Sequence, residues 1–341
     1  MKFNIKSLYI ILFVLLNMVV SCTTKFNNTS LIYNTNPDKT KLNQLFSSFR
    51  SAPQQFTISA GTNKIIYAGN GTKFSFYPNS FKDATGTIIT NGNINLQIVE
   101  MYRVGIMAAN RTTAATQDGN LISGGQIYIN ATMNGQPVFA TKYGIGFKQN
   151  AASTSSMSLY YGNTNNDDSL TFWTAANNFG VGNTAITTKV DSETVIIINL
   201  TGGVDTVIRF VNYYQFDSCI NLNWVNCDNP YGTNAPLTDL TVTMPDTSFN
   251  ATNTEVFVLM PAINCVVPLN IYNPITRKFD IYHNNYIPVD MNATVFAISN
   301  KHGNYYYYEQ TGITITSGIN LTASMTPQSA TDILKHISSM Y

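Results

Sequence analysis

Four cysteines, three histidines and eighteen carboxylates are the side chains with which this 341-residue sequence could do chemistry. His283, His302 and His336 are scattered, and no pair stands at the spacing that puts two imidazoles on one helix face for zinc. No Gly-x-Ser-x-Gly elbow and no phosphate-cradling glycine loop occurs. His302 lies in Lys301-His302-Gly303-Asn304 and reads as a solvated turn residue rather than a base. Cys219, Cys227 and Cys265 allow one disulfide and one leftover thiol in an oxidising compartment. Cys219, Cys227 and Asp228 together lack a fourth ligand and the tight spacing of a tetrahedral metal site. Asn163-x-Asn165-x-Asp167-x-Ser169 alternates oxygen ligands as calcium loops do, without their turn glycine or closing glutamate. No catalytic residue, metal or cofactor is expected from these patterns. The alternative is a hydrolase acting on glycans, with two carboxylates brought about 5 to 9.5 Å apart across a cleft by folding.

The fourth cysteine has a different setting. Lys2 and Lys6 precede an apolar run from Leu8 to Val20, as in a secretory signal. As a helix this run would reach about 20 Å, short of the hydrocarbon core. It ends in Val19-Val20-Ser21-Cys22, which resembles the bacterial lipobox. That resemblance implies cleavage after Ser21 and diacylglycerol on the Cys22 thiol. Two or three acyl chains, at about 0.8 kcal/mol per buried methylene, hold a protein on a membrane stably. Thr23-Thr24-Lys25-Phe26 carries no acidic run such as marks surface export in some Gram-negative lipoproteins, so the resemblance implies the periplasmic face of an outer membrane rather than the cell surface.

The rest of the chain must supply the scaffold. Charged residues make up 11% of it and the net charge is +1, which removes the cationic footprint of a nucleic-acid binder. A hydrophobic share of 44% is ample for packed cores. Twenty Tyr, nineteen Phe and abundant Asn favour strands and turns. Residues 1–21 read as the signal peptide and 22–53 as a lipidated tether. The tether ends in a short helix capped by Asn36 and Pro37, with Leu42, Leu45, Phe46 and Phe49 on one face. From residue 54 the period becomes two: Ile94, Leu96 and Ile98, then Ile127, Ile129, Ala131 and Met133, alternate with polar neighbours. Asn134-Gly135 supplies a two-residue hairpin turn. The expected fold is all-β, with tandem antiparallel sandwich-like domains: 54–149, a second β unit at 150–215, and 216–341 with a terminal helix. Thr326-Pro327 is the expected cap of that helix, whose face carries Ala330, Ile333, Leu334 and Ile337.

Gly71-Thr72, the strand through Phe74 and Phe76, Pro78, Phe81, Gly86, the strand ending at Glu100, Thr112-Thr113, Leu121 and Gly124-Gly125 resemble a ZU5-like β domain. Trp224-Val225-Asn226-Cys227-Asp228 is similar to a Trp-Ile-Asn-Cys-Asp signature of ZU5-like envelope lipoproteins of the Bacteroidota. Asn229-Pro230-Tyr231 replaces the basic residue and aromatic that follow in that pattern. The resemblance implies Trp224, Asn226, Cys227 and Asp228 as signature positions, and a protein-interaction module rather than an enzyme. Some ZU5 domains cleave themselves at His-Phe-Ser; Lys73-Phe74-Ser75 lacks the histidine and reads as an ordinary strand. Asp168-Ser169-Leu170 and Asp205-Thr206-Val207 match a loose O-glycosylation pattern.

These readings converge on a lipid-anchored, non-enzymatic envelope protein that binds a protein or glycan partner. Tyr305, Tyr306, Tyr307 and Tyr308 are the candidate contact residues: in a strand, alternate tyrosines face opposite sides, and one pair lies either on an open face or under the C-terminal helix.

Overall fold

In the computed structural model the described residues are 37–116, 119–148, 157–164, 170–176, 187–198, 204–232, 236–281 and 286–340. Cys22, the 23–35 tether, His283 and positions 165–169 of the Asn-rich loop lie outside them. The chain from Asn36 to Tyr341 forms one unit, and its described residues are mostly strand, with three short α-helices among them. The helices are α1 (Pro37–Phe49), α2 (Val104–Ala109) and α3 (Ala330–Ser339).

The alternating strands build a first sandwich. One sheet runs in the order Gln54–Ser59, Asn93–Met101, Leu121–Met133, Asn223–Pro230, Ser158–Thr164, Leu170–Ala175. The facing sheet runs Thr187–Ile198, Val204–Cys219, Tyr143–Lys148, Lys73–Phe76, Lys64–Tyr67. Ile94, Leu96, Ile98, Ile127 and Ile129 from the first meet Phe74, Phe76, Ile145 and Phe147 from the second. Each such side chain removed from water contributes about 1.5–3 kcal/mol, so the period of two fixes which face points inward. Lys73-Phe74-Ser75 is an alternating strand, with Phe74 buried. Asn134 and Gly135 both have positive φ, 51° and 79°, as a tight hairpin turn requires.

The apolar runs of the C-terminal half build a second sandwich. Cys265–Leu269, Thr254–Met260, Asn292–Lys301, Asn304–Thr314 and Thr326–Pro327 form one sheet. Ile271–Asn273, Lys278–Asp280, Leu240–Thr243 and Ile319–Thr322 form the other, the last pair being parallel. Val256, Val258 and Met260 face this second core, whereas Phe257 and Leu259 face a third cluster. That third cluster is built by the helices: Leu42, Leu45, Phe46 and Phe49 of α1, Met107 and Ala108 of α2, and Ile333 and Ile337 of α3. A sheet covered on both faces reads as a continuous apolar run, which accounts for Val256–Met260 and Ala293–Ile298.

Three expectations change. The boundary at 215/216 falls inside the strand Val204–Cys219, and Asn223–Pro230 pairs with Leu121–Met133 of the first sandwich. Alternation marks a strand but not its partner. Thr326-Pro327 does not cap the last helix; it pairs with Tyr306 and Tyr307 as a short edge strand. The cap is Ser329, whose hydroxyl accepts from Asp332 N at 3.1 Å. Finally, the tyrosines form no open platform. Tyr307 packs among the helices and Tyr308 in the sandwich core, at 4% and 8% exposure. Tyr305 and Tyr306 are half-buried against the same two clusters, Tyr306 edge-on to Phe249 at 5.4 Å. The helices cover the face that the sequence left open.

Candidate functional site

The outer face of the first sheet changes character from row to row. Its registers set Gln97 beside Asn130, Val99 beside Tyr128 and Met101 beside Gln126; the next strand sets Trp224 beside Tyr128 and Asn226 beside Gln126. Gln97 and Asn130 are half-buried and bonded to one another at 3.0 Å. Gln126 and Asn226 are fully buried beneath the C-terminal half. Between them lies the row Val99, Tyr128, Trp224, extended by Gly162, which follows Tyr161 opposite Val225. Tyr128 and Trp224 are half-buried, with ring centroids 5.0 Å apart.

This row floors a cavity of about 550 Å³, walled by Ser47 and Arg50 at the end of α1, by the Ser51–Pro53 linker, and by Asn110 and Asn223. The linker is held in place: Asn110 donates to Ser51 Oγ at 3.3 Å and to Ile106 O at 2.8 Å. On its other side lies a second cavity of about 530 Å³, sharing Ser51, Ala52 and Val99 and lined further by Gln54, Asn70, Glu100, Tyr102, Arg103 and Lys148. Both volumes fall in the range of small-ligand sites.

Glu100 is the carboxylate of this lining, and its oxygens are occupied. Oε2 accepts from Gln54 Nε2 at 2.8 Å and Asn70 N at 2.7 Å; Oε1 accepts from Thr72 N at 3.0 Å and Thr72 Oγ1 at 2.5 Å. It thereby fastens the turn at Gly71, φ +97°, to the sheet. The Gly71-Thr72 and Glu100 landmarks are thus two ends of one buried bracket. Among the described residues, neither cavity's lining includes a histidine or a second carboxylate.

The pentapeptide at 224–228 splits by parity. Val225 and Cys227 enter the sandwich core, while Trp224, Asn226 and Asp228 share the outer face. A bulge sets Asp228 opposite Ser123, and Gly124-Gly125 take up the extra residue. A Cβ at Gly124 would stand 2.9 Å from Cys227 O, and one at Gly125 2.5 Å from the Tyr102 ring. Asn226 Nδ2 donates to Asp228 Oδ2, and Ser123 Oγ to Asn226 Oδ1 at 3.3 Å. Burial pushes the Asp228 carboxyl well above the usual range, and the nearby polar groups of Ser123, Asn226 and the Gly124 N–H only partly oppose it. The knot continues into the C-terminal half, where Asn264 Nδ2 donates to Tyr102 O and Ser123 O, both at 3.1 Å. Asn226 and Asp228 therefore lie in the knot between the two halves, Cys227 lies in the first core, and Trp224 alone reaches the cleft.

Cys219, Cys227 and Cys265 are free, buried thiols, and burial raises the pKa of each. His302 is exposed in the turn between two strands, with φ +53°. Asp205-Thr206-Val207 lies within a strand. His336 Nδ1 stands 3.4 Å from Glu309 Oε2, an oxygen that also accepts from Tyr307 OH at 2.8 Å. This carboxylate–histidine pair lies outside both cavities, and its histidine side chain is half exposed.

Trp224 was expected as a signature position, not as a cleft residue, and Val99, Tyr128 and the Ser51–Pro53 linker were not expected to belong to a site. A signal for Tyr128 existed: with Ile127 and Ile129 inward, it is an aromatic on the outward, otherwise polar side. No protein-family model matches the chain, and no curated protein matches it.

Proposed function

We propose that the chain is a lipid-anchored envelope protein of the ZU5-like lipoprotein kind, whose folded part is a non-enzymatic binding module for a protein or glycan partner. Lipidation of Cys22 places it at an outer membrane, on the periplasmic side. No helix among the described residues is long and apolar enough to cross a membrane, so in this reading the acyl chains supply the anchor. The observation that carries the binding role is the Val99–Tyr128–Trp224 row. Further along the same sheet face the outward side chains pass beneath the C-terminal half, whereas here two aromatic rings remain half open beneath a pinned linker. Aromatic area ringed by Asn, Ser and Arg suits recognition. The engaged state of Glu100 argues against general acid–base work in the cleft.

Two measurements test this. Metabolic acyl labelling should mark the parent chain and leave Cys22→Ser unlabelled; label retained in the variant removes the anchor. A photo-crosslinking residue at Ser47, on the cleft wall, should give an adduct in cells that disappears in Trp224→Ala at unchanged protein level. Adducts indifferent to Trp224 would remove the cleft from the binding role.

A further inference from the structure

We infer that the cleft takes an acidic glycan, with a sugar ring on Trp224 and an anionic substituent directed to Arg103 and Lys148 beyond the linker. This rests on the cleft being the binding site. The first support is the shape of the floor. Trp224 lies on a sheet face next to Gly162, so one side of its ring neighbours a position without a side chain. The backbone groups of these central strands are used within the sheet, so an extended peptide finds no free edge to pair with. A pyranose needs none: its C–H face covers an aromatic ring, and its hydroxyls meet the Asn and Ser side chains of the wall.

The second support is the charge. The chain is charge-poor, at 11%, yet the described lining of the second cavity holds two cations, Arg103 and Lys148, and one carboxylate, Glu100. Glu100 is turned inward to four donors, and no ion pair links it to Arg103 or Lys148. Arg103 is exposed and Lys148 half-buried, so both are available to a ligand in that cavity. A guanidinium there can pair with a carboxylate, sulfate or phosphate through two parallel hydrogen bonds. The two cavities share Ser51, Ala52 and Val99, so they adjoin, and a glycan seated on Trp224 has the cavity of Arg103 and Lys148 next to it.

The test is a glycan array carrying uronate, sialylated, sulfated and phosphorylated glycans beside neutral ones, probed with the full-length lipidated chain in detergent. Acidic glycans should be retained over neutral counterparts, with binding that weakens as salt is raised. In titration against the best acidic glycan, Arg103→Ala and Lys148→Ala should each weaken binding about fivefold. Both should keep the parental melting midpoint, since neither side chain has a hydrogen-bond or ion-pair partner among the described residues. Neutral glycans retained equally, in a Trp224-dependent way, would overturn the acidic class while leaving the cleft as the binding site. No glycan retained, with Trp224-dependent crosslinks from Ser47 to protein, would overturn the glycan itself.

Discussion

Arg111 and Glu255, 144 residues apart, form a two-pronged ion pair that ties the end of α2 to the C-terminal sheet. Arg111 Nε donates to Oε2 at 3.1 Å and Nη2 to Oε1, while Nη1 donates to Asn43 Oδ1 at 3.0 Å on α1. The guanidinium also lies over Phe46, 4.9 Å from the ring centre, and Lys39 reaches Glu255 at 2.9 Å. One side chain therefore fastens both helices to the sheet. Removing one partner strands the other in a site where Arg111 is 7% exposed. Arg111→Met and Glu255→Gln should each cost about 2–4 kcal/mol in denaturant unfolding. Arg111→Lys should recover less than half of that, because an ammonium cannot span both oxygens and Asn43. Full recovery by lysine would mean that charge alone matters here.

Gly125→Ala tests the bulge beneath the signature. At φ +133° a Cβ is strained, and it would lie 2.5 Å from the Tyr102 ring. Tyr102 is held by Thr72 Oγ1 at 2.8 Å and by Lys148 N at 3.2 Å, so it cannot retreat without opening the Glu100 bracket. The expected loss is about 2 kcal/mol or more. Gly86→Ala is the control: it also has positive φ, +88°, but meets nothing within 4 Å, and should cost distinctly less. Equal losses would assign the effect to backbone strain alone.

The sequence carried the elements better than their partners. Ile94, Leu96 and Ile98, the Asn134-Gly135 turn and the Ile333/Ile337 face each state a local period, and each element formed where its period stood. Pairing is a long-range property, so nothing local in 223–230 says that it joins 121–133. Helix α2 was illegible for another reason: six residues are fewer than two turns, too few for a helical period. Trp224 could be named, but its use depends on Tyr128 one strand away and on a linker folded back over both. The tyrosine quartet shows the converse. Its strand and two-sidedness were legible, while the helices that cover one side come from residues 37–49 and 330–339.

That covering gives a direct expectation for the quartet. Tyr305→Ser with Tyr307→Ser removes aromatic area from the helix side; Tyr306→Ser with Tyr308→Ser removes it from the sandwich core. Each double variant should lose at least about 2 kcal/mol in chemical unfolding. The first should lose more helical signal, because Tyr307 also packs on His336 of α3 with ring centres 5.4 Å apart. A double variant with an unchanged midpoint would restore an open aromatic face.

Asp228 sets the pH dependence. Its carboxyl is fully buried and its folded-state pKa is raised, first by loss of solvation. The folded protein therefore holds a proton that the unfolded chain releases above about pH 4. Below that pH both states are protonated and the group costs nothing. Between there and the folded pKa, stability falls as pH rises, by up to about 1.4 kcal/mol per unit. Asp228→Asn removes the proton. Its carbonyl can still accept from Asn226, and its amide takes the place of Oδ1, an oxygen with no hydrogen-bond partner among the described residues. The variant's melting midpoint should therefore change less than the parent's between pH 5 and pH 7, and its relative stability should improve towards pH 7. Other titrating groups are common to both chains and cancel in the difference. Parallel pH curves would show that Asp228 is ionised in the fold, and the knot joining the two halves would then have to hold a bare carboxylate.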